Sequence, residues 1–243
     1  MIHRTAAALT ISLTLSGCIS LAGQQTEKLS TTIQLKAELD YLLHVPEEVP
    51  TSGKKWPLML FLHGAGERGS DLELVKRNGP PMLIAKGREF PFIIASPQCS
   101  KDIEWSHPEK IIALNALIDE LVANYPVDES RIYLTGLSMG GFGTWALAAS
   151  YPDRFAAIAP VCGGGCRMVA RRLVDMPIWV FHGAKDKVVP ISMSQEMVDA
   201  LEKKGSTSVK FTIYPETGHN SWVEAYNTPE LYKWFLSHAK EGE

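Results

Sequence analysis

The chain runs to 243 residues, 45% of them hydrophobic and 21% charged, with a formal net charge of -3. A chain of that length can bury a large core within one domain. Its charge balance lacks the excess of Lys and Arg that grips a phosphate backbone, so no nucleic acid is expected as a partner.

The N-terminus departs from this average. His3 and Arg4 make a basic start, residues 6–15 an apolar run too short to span a bilayer, and Leu15-Ser16-Gly17-Cys18 closes it. This is the layout of an export signal. Small residues directly before a cysteine resemble the lipobox of bacterial lipoproteins, in which Cys18 becomes a lipid-modified N-terminus. A secretory signal cut after Ala22, with Ser20 two positions earlier, is the alternative. Both readings export the protein, and the first anchors it to a membrane by lipid alone. On that reading residues 1–18 are the signal, 19–30 a polar tether, and 31–243 a single domain.

Residues 31–36 and 39–45 alternate or run apolar and are expected as two antiparallel edge strands, ahead of the polar, proline-bearing stretch 46–55. Continuous apolar runs follow at 57–62, 92–96, 131–135, 156–161, 178–181 and 209–214, the pattern of strands buried on both faces. Between them, 111–125 and 192–203 carry apolar residues at helical spacing and 139–150 is rich in small residues. A last helix, 229–239, turns Leu231, Trp234, Phe235 and Leu236 inward. Strands alternating with helices predict an α/β fold, with a mainly parallel eight-stranded sheet covered by helices on both faces. Residues 70–88 are the one insertion that could form a small cap.

Gly136-Leu137-Ser138-Met139-Gly140 joins a strand directly to a helix. A serine on such a turn stands exposed at the sheet edge, and glycines are needed where a Cβ would clash. A serine hydroxyl attacks poorly until a base takes its proton, and His219 lies on the loop after the last strand, preceded by Gly218. His182 is the main rival but falls at a strand end earlier in the chain. A carboxylate must orient the base, and Asp186, in the order serine, acid, histidine, fits that place, with Glu216 as reserve. Two backbone amides should receive the oxyanion of a tetrahedral intermediate: Met139, after the serine, and Ala65 or Gly64 in His63-Gly64-Ala65-Gly66. Glu67 and Arg68 extend that loop and are assigned no catalytic role. Trp105, Trp145 and Trp222 are candidates to line the substrate pocket, with core packing as the other reading.

Cys162 and Cys166 lie close enough in sequence to pair or to stand as separate thiols, and Cys99 has no evident mate. No histidine stands at ligand spacing from them, so no metal is expected.

These segments together resemble the small α/β-hydrolase esterases related to the phospholipase/carboxylesterase and prolyl-oligopeptidase-like groups. The likeness runs over residues 31–235 and is carried by 63–69, 136–145, Phe181-His182-Gly183 with Asp186, and Gly218-His219 with Ser221-Trp222. It implies a serine carboxylic-ester hydrolase that needs no cofactor. Ser138, His219 and Asp186 would form its triad, acting through an acyl-enzyme on small or short-chain esters. Rival readings are an acyltransferase, a feruloyl or acetyl-sugar esterase, or a phospholipase using the same residues. A non-catalytic binding protein is disfavoured because every part of the set is present.

Overall fold

The apolar runs become the strands of one mixed sheet. The computed structural model describes residues 28–31, 36, 38–47, 53 and 55–240. The strands are β1 Tyr41–His44, β2 Trp56–Leu62, β3 Ile93–Pro97, β4 Val127–Leu137, β5 Ala157–Val161, β6 Ile178–Gly183 and β7 Val209–Tyr214. They lie in the order β1-β3-β2-β4-β5-β6-β7. β1 pairs antiparallel with β3, and the other neighbours pair parallel.

Eight strands were expected and seven lie among the described residues. Of the remaining one, 31–36, residues 32–35 fall outside the description, as do the leader 1–18 with Cys18 and the tether up to residue 27.

Among the described residues six α-helices accompany the sheet: α1 Gly79–Ala85, α2 Pro108–Asn124, α3 Met139–Ser150, α4 Ser192–Lys203, α5 Trp222–Asn227 and α6 Pro229–Leu236. α2 begins earlier than its apolar periodicity indicates, because Pro108 occupies the first turn and the His107 ring accepts the Glu109 N–H at 3.3 Å. Alternation along β2 sorts the core into two layers. Leu58, Leu60 and Leu62 face one cluster with Leu114, Leu147 and Leu201, while Met59 and Phe61 face another with Leu83, Tyr226 and Phe235. Each such side chain contributes about 1.5–3 kcal/mol through burial. Residues 70–88 make no detached cap: Leu83 of α1 is in the second cluster, so this segment covers the sheet itself. No helix of the described residues is long and apolar enough to cross a membrane.

Parallel register decides which loops meet. Leu62 lies opposite Gly136, Leu137 opposite Val161, Val161 opposite Phe181, and Gly183 opposite Tyr214. The residues that follow β2, β4, β5, β6 and β7 therefore emerge side by side at one edge of the sheet.

Candidate active site

Ser138 sits between β4 and α3 with φ 52° and ψ -116°, a conformation that few non-glycine residues adopt. The turn closes only because position 140 lacks a side chain: a Cβ on Gly140 would stand 1.9 Å from the Leu62 carbonyl oxygen. α3 starts directly after the serine, and the first-turn amides of a helix, Met139's among them, have no intrahelical acceptor.

His219 arrives on the loop after β7. That loop rests on the turn after β6, where a Cβ on Gly183 would fall 2.2 Å from the Gly218 oxygen. Lys185 N–H donates to the Thr217 oxygen across the same contact, at 3.0 Å. His219 Nδ1 then lies 2.7 Å from Asp186 Oδ2, and its Nε2 lies 2.9 Å from Ser138 Oγ. With a carboxylate facing Nδ1, that nitrogen carries the proton and Nε2 is free to accept from the hydroxyl.

Asp186 Oδ1 accepts the Val188 and Val189 amides at 2.8 and 2.9 Å. Burial pushes the Asp186 carboxyl up, but the hydrogen bonds from His219, Val189 and Val188 and the His219 charge outweigh it and hold the group below the usual carboxylate range. His182, the rival histidine, is buried within β6. Its Nδ1 meets Ser194 Oγ at 2.8 Å, and its Nε2 lies 2.9 Å from the Val189 oxygen and 3.2 Å from Asp186 Oδ2. It thus approaches the same carboxylate oxygen that His219 contacts. Glu216, the reserve acid, is exposed and pairs with Lys185.

The expectation of a serine ester hydrolase resting on a Ser-His-Asp set alone is corrected here. Cys162, Asp186 and His219 each bring one donor atom within 4.8 Å of the others. The acid and base therefore belong to a Cys162-Asp186-His219 cluster, and a serine is not the sole nucleophilic side chain beside them. Register is the physical reason. Val161 lies opposite Leu137, so Cys162 leaves β5 beside the point where Ser138 leaves β4. Sequence spacing between cysteine and histidine says nothing of this proximity, although Cys162 follows an apolar run as Ser138 does. Cys162 is fully buried and Cys166 exposed, and both are free thiols, as is Cys99.

The loop after β2 lies against the turn that carries Ser138, since a Cβ on Gly64 would meet Leu137 Cδ1 at 2.7 Å. Ala65 opens a short 3-10 turn, Ala65–Glu67, on the exposed side of this loop. His63 fixes the loop's base: Nε2 accepts the Cys99 N–H at 3.0 Å, so Nδ1 donates to the Gly64 oxygen at 2.6 Å. Burial above all lowers this imidazole to about 4, and it is neutral at ordinary pH.

The three tryptophans part company. Trp105 is fully buried, its Nε1 donating to the His63 oxygen at 3.1 Å, so it supports the loop from within the core. Trp145 is also fully buried, while bordering a groove of about 380 Å³ along α3 with Phe142, Ala146 and Val169. Trp222 is half-buried and stands edge-on to His219, ring centroids 5.3 Å apart at 89°.

Comparison with known proteins places this geometry. The phospholipase/carboxylesterase family matches residues 80–228. Poly(3-hydroxyalkanoate) depolymerase C of Paucimonas lemoignei is 32% identical over 139 residues, which are 52% of this chain and 31% of that protein. The crystal structure of a thermostable esterase is similar at TM-score 0.74 and 35% identity, over 84% of this chain and 60% of that one. An acylaminoacyl peptidase of Pyrococcus horikoshii shares the fold at TM-score 0.61 and 19% identity, over 86% of this chain and 41% of its own. The chain spans less than two thirds of the length of each of the three.

Proposed function

This chain belongs to the phospholipase/carboxylesterase family, and from that membership we propose that it hydrolyses small-molecule carboxylic esters at the edge where Asp186 and His219 meet Ser138 and Cys162. One observation carries the reading: a single imidazole is engaged on both sides, by Asp186 at Nδ1 and by Ser138 at Nε2. In this reading His219 takes a proton at Nε2 as the carbonyl carbon is attacked, and Asp186 stabilises the imidazolium. The same proton goes to the departing alcohol, and water, deprotonated at Nε2, completes the acid. The amides of Met139 and Ala65 are proposed to receive the oxyanion, and Trp222 to border the substrate.

The test runs Ser138→Ala and Cys162→Ala in parallel against p-nitrophenyl esters of graded chain length. Esters of short 3-hydroxy acids join the panel because the similar P. lemoignei protein is named a depolymerase of such polymers. Loss in one variant alone identifies the attacking atom, Oγ or Sγ. Full activity in both overturns the proposed site. A wild-type protein that cleaves no ester overturns the function.

The N-terminal reading is proposed with it: 1–18 as signal, Cys18 as lipid anchor, 19–30 as tether, 31–243 as one catalytic domain completing an eight-stranded sheet. Its support is the Leu15-Ser16-Gly17-Cys18 motif. Cys18→Ser should move the protein from the membrane fraction to the soluble one, and an unchanged distribution would refute the anchor.

A further inference from the structure

The base and the oxyanion loop come from distant parts of the sheet. His219 follows β7 and Ala65 follows β2, with β4, β5 and β6 between them in the sheet order. Catalysis needs both held to fractions of an ångström relative to one reacting carbon, because misplacement of about 1 Å costs on the order of 10²-fold in rate. A hydrogen-bonded chain crosses that gap. Trp222, edge-on to His219, donates Nε1–H to Asn78 Oδ1 at 3.0 Å. Asn78 Nδ2 donates in turn to Glu67 Oε1 at 2.8 Å.

Glu67 belongs to the oxyanion loop itself. Its side chain turns inward at 6% exposure, and Oε2 reaches to 4.0 Å from His63 Nδ1. Its backbone oxygen accepts Gln98 Nε2–H at 2.8 Å, which fixes the residue from the other side. A carboxyl group so buried is costly unless hydrogen-bonded, and Asn78 supplies a donor.

Asn78 has no cap to make at the helix start, since Pro80 and Pro81 lack the N–H groups that an N-cap side chain accepts. It is the residue that precedes α1, where asparagine ordinarily accepts a first-turn N–H and stabilises the helix by about 1 kcal/mol. Here its side chain makes no capping hydrogen bond. Both ends of its amide are directed to Trp222 and Glu67 instead.

We propose that Asn78 is a positioning residue, bridging Trp222 and Glu67 so that the base and the oxyanion loop are held in one geometry. The inference rests on the ester-hydrolase reading given above. It acts through Trp222 and the loop and touches no reacting atom, so it should govern turnover more than substrate affinity.

Exchange of donor and acceptor tests it. Asn78→Asp sets two carboxyl groups against each other and is expected to lower kcat about 100-fold, with KM within about three-fold. Asn78→Ala should lower kcat about 10-fold, and Glu67→Gln, which can still accept from Asn78, by less than about three-fold. The pair Asn78→Asp/Glu67→Gln restores a donor facing an acceptor and should return kcat to within about five-fold of wild type. Thermal unfolding of each variant checks that the fold persists. A double variant no better than Asn78→Asp, or an Asn78→Ala enzyme with wild-type kcat, would overturn the proposal. The indole N–H resonance of Trp222, assigned with Trp222→Phe, should move in Asn78→Asp and return in the double variant. If the wild type cleaves no ester, the functional reading falls while this resonance still judges the bridge, and an unmoved signal rejects it.

Discussion

Ser138 and Cys162 are twins in backbone and opposites in surroundings. Each follows a parallel strand by one residue, and each has a left-handed φ, 52° and 40°. Each donates its N–H to a carbonyl of the neighbouring strand, Ser138 to the Val161 oxygen at 2.9 Å and Cys162 to the Phe181 oxygen at 2.8 Å. Ser138 lies half-buried with its hydroxyl on His219. Cys162 is fully buried, and burial pushes its thiol up to about 12. A thiol attacks well as thiolate, and this one keeps its proton at neutral pH. The pair teaches that contact with the base, more than intrinsic nucleophilicity, separates two side chains set on the same turn.

The sharpest way to break the comparison is to remove each twin. Ser138→Ala should lower ester hydrolysis by about 10⁴-fold or more if Oγ attacks and Cys162→Ala by as much if Sγ does, while the other variant loses less than about 10-fold through loosened packing. Steady-state assays of the two tell oxygen from sulfur. Asp186→Asn, which removes the acid that faces His219 Nδ1, should cost about 10⁴-fold in kcat by releasing the imidazole tautomer. It should also weaken the dependence of stability on acid. The lowered Asp186 carboxyl stabilises the wild-type fold above the ordinary carboxylate value of about 4 and loses that contribution as pH falls through its folded value.

His63 gives a second acid-sensitive contribution, beneath the loop that faces Ser138. The unfolded chain takes up this proton near 6.5 and the folded one near 4, so acidification across that interval favours unfolding. The expected loss approaches about 3 kcal/mol, readable by denaturant titration, and an NMR titration should find His63 neutral until that lower value. The smallest effect concerns the thiols. Iodoacetamide at mildly alkaline pH should label the exposed Cys166 and spare the buried Cys162. Equal labelling would dissolve the contrast between the twins.

What the chain made legible follows its physics. Strand runs and α3 carry their own signals, apolar continuity in one case and Gly136 to Gly143 in the other, and α4 matches its expected bounds. α1 and α5 do not announce themselves. They have seven and six residues, too few to show a period, and α1 is held by Leu83 against the sheet. Ser138, Asp186 and His219 could be named because strand-end chemistry is local. Cys162 could not be joined to them without register, nor Asn78 to Glu67 without knowing that two loops fold onto each other. Trp105 shows the converse, since a tryptophan near a loop can be wholly interior.

Gly183 carries a consequence for how such a site could diversify. The acid-bearing turn and the base-bearing loop touch through bare backbone there, 2.2 Å from any added methyl group to the Gly218 oxygen. Variation at that seam would separate the two halves of the proton-transfer pair, so lineages that change substrate have to do so elsewhere along the rim. The exposed positions Glu73 and Arg77 of the Leu72–Arg77 segment leave more room for amino-acid change. Libraries seeking new specificities are better aimed there, with residue 183 left untouched.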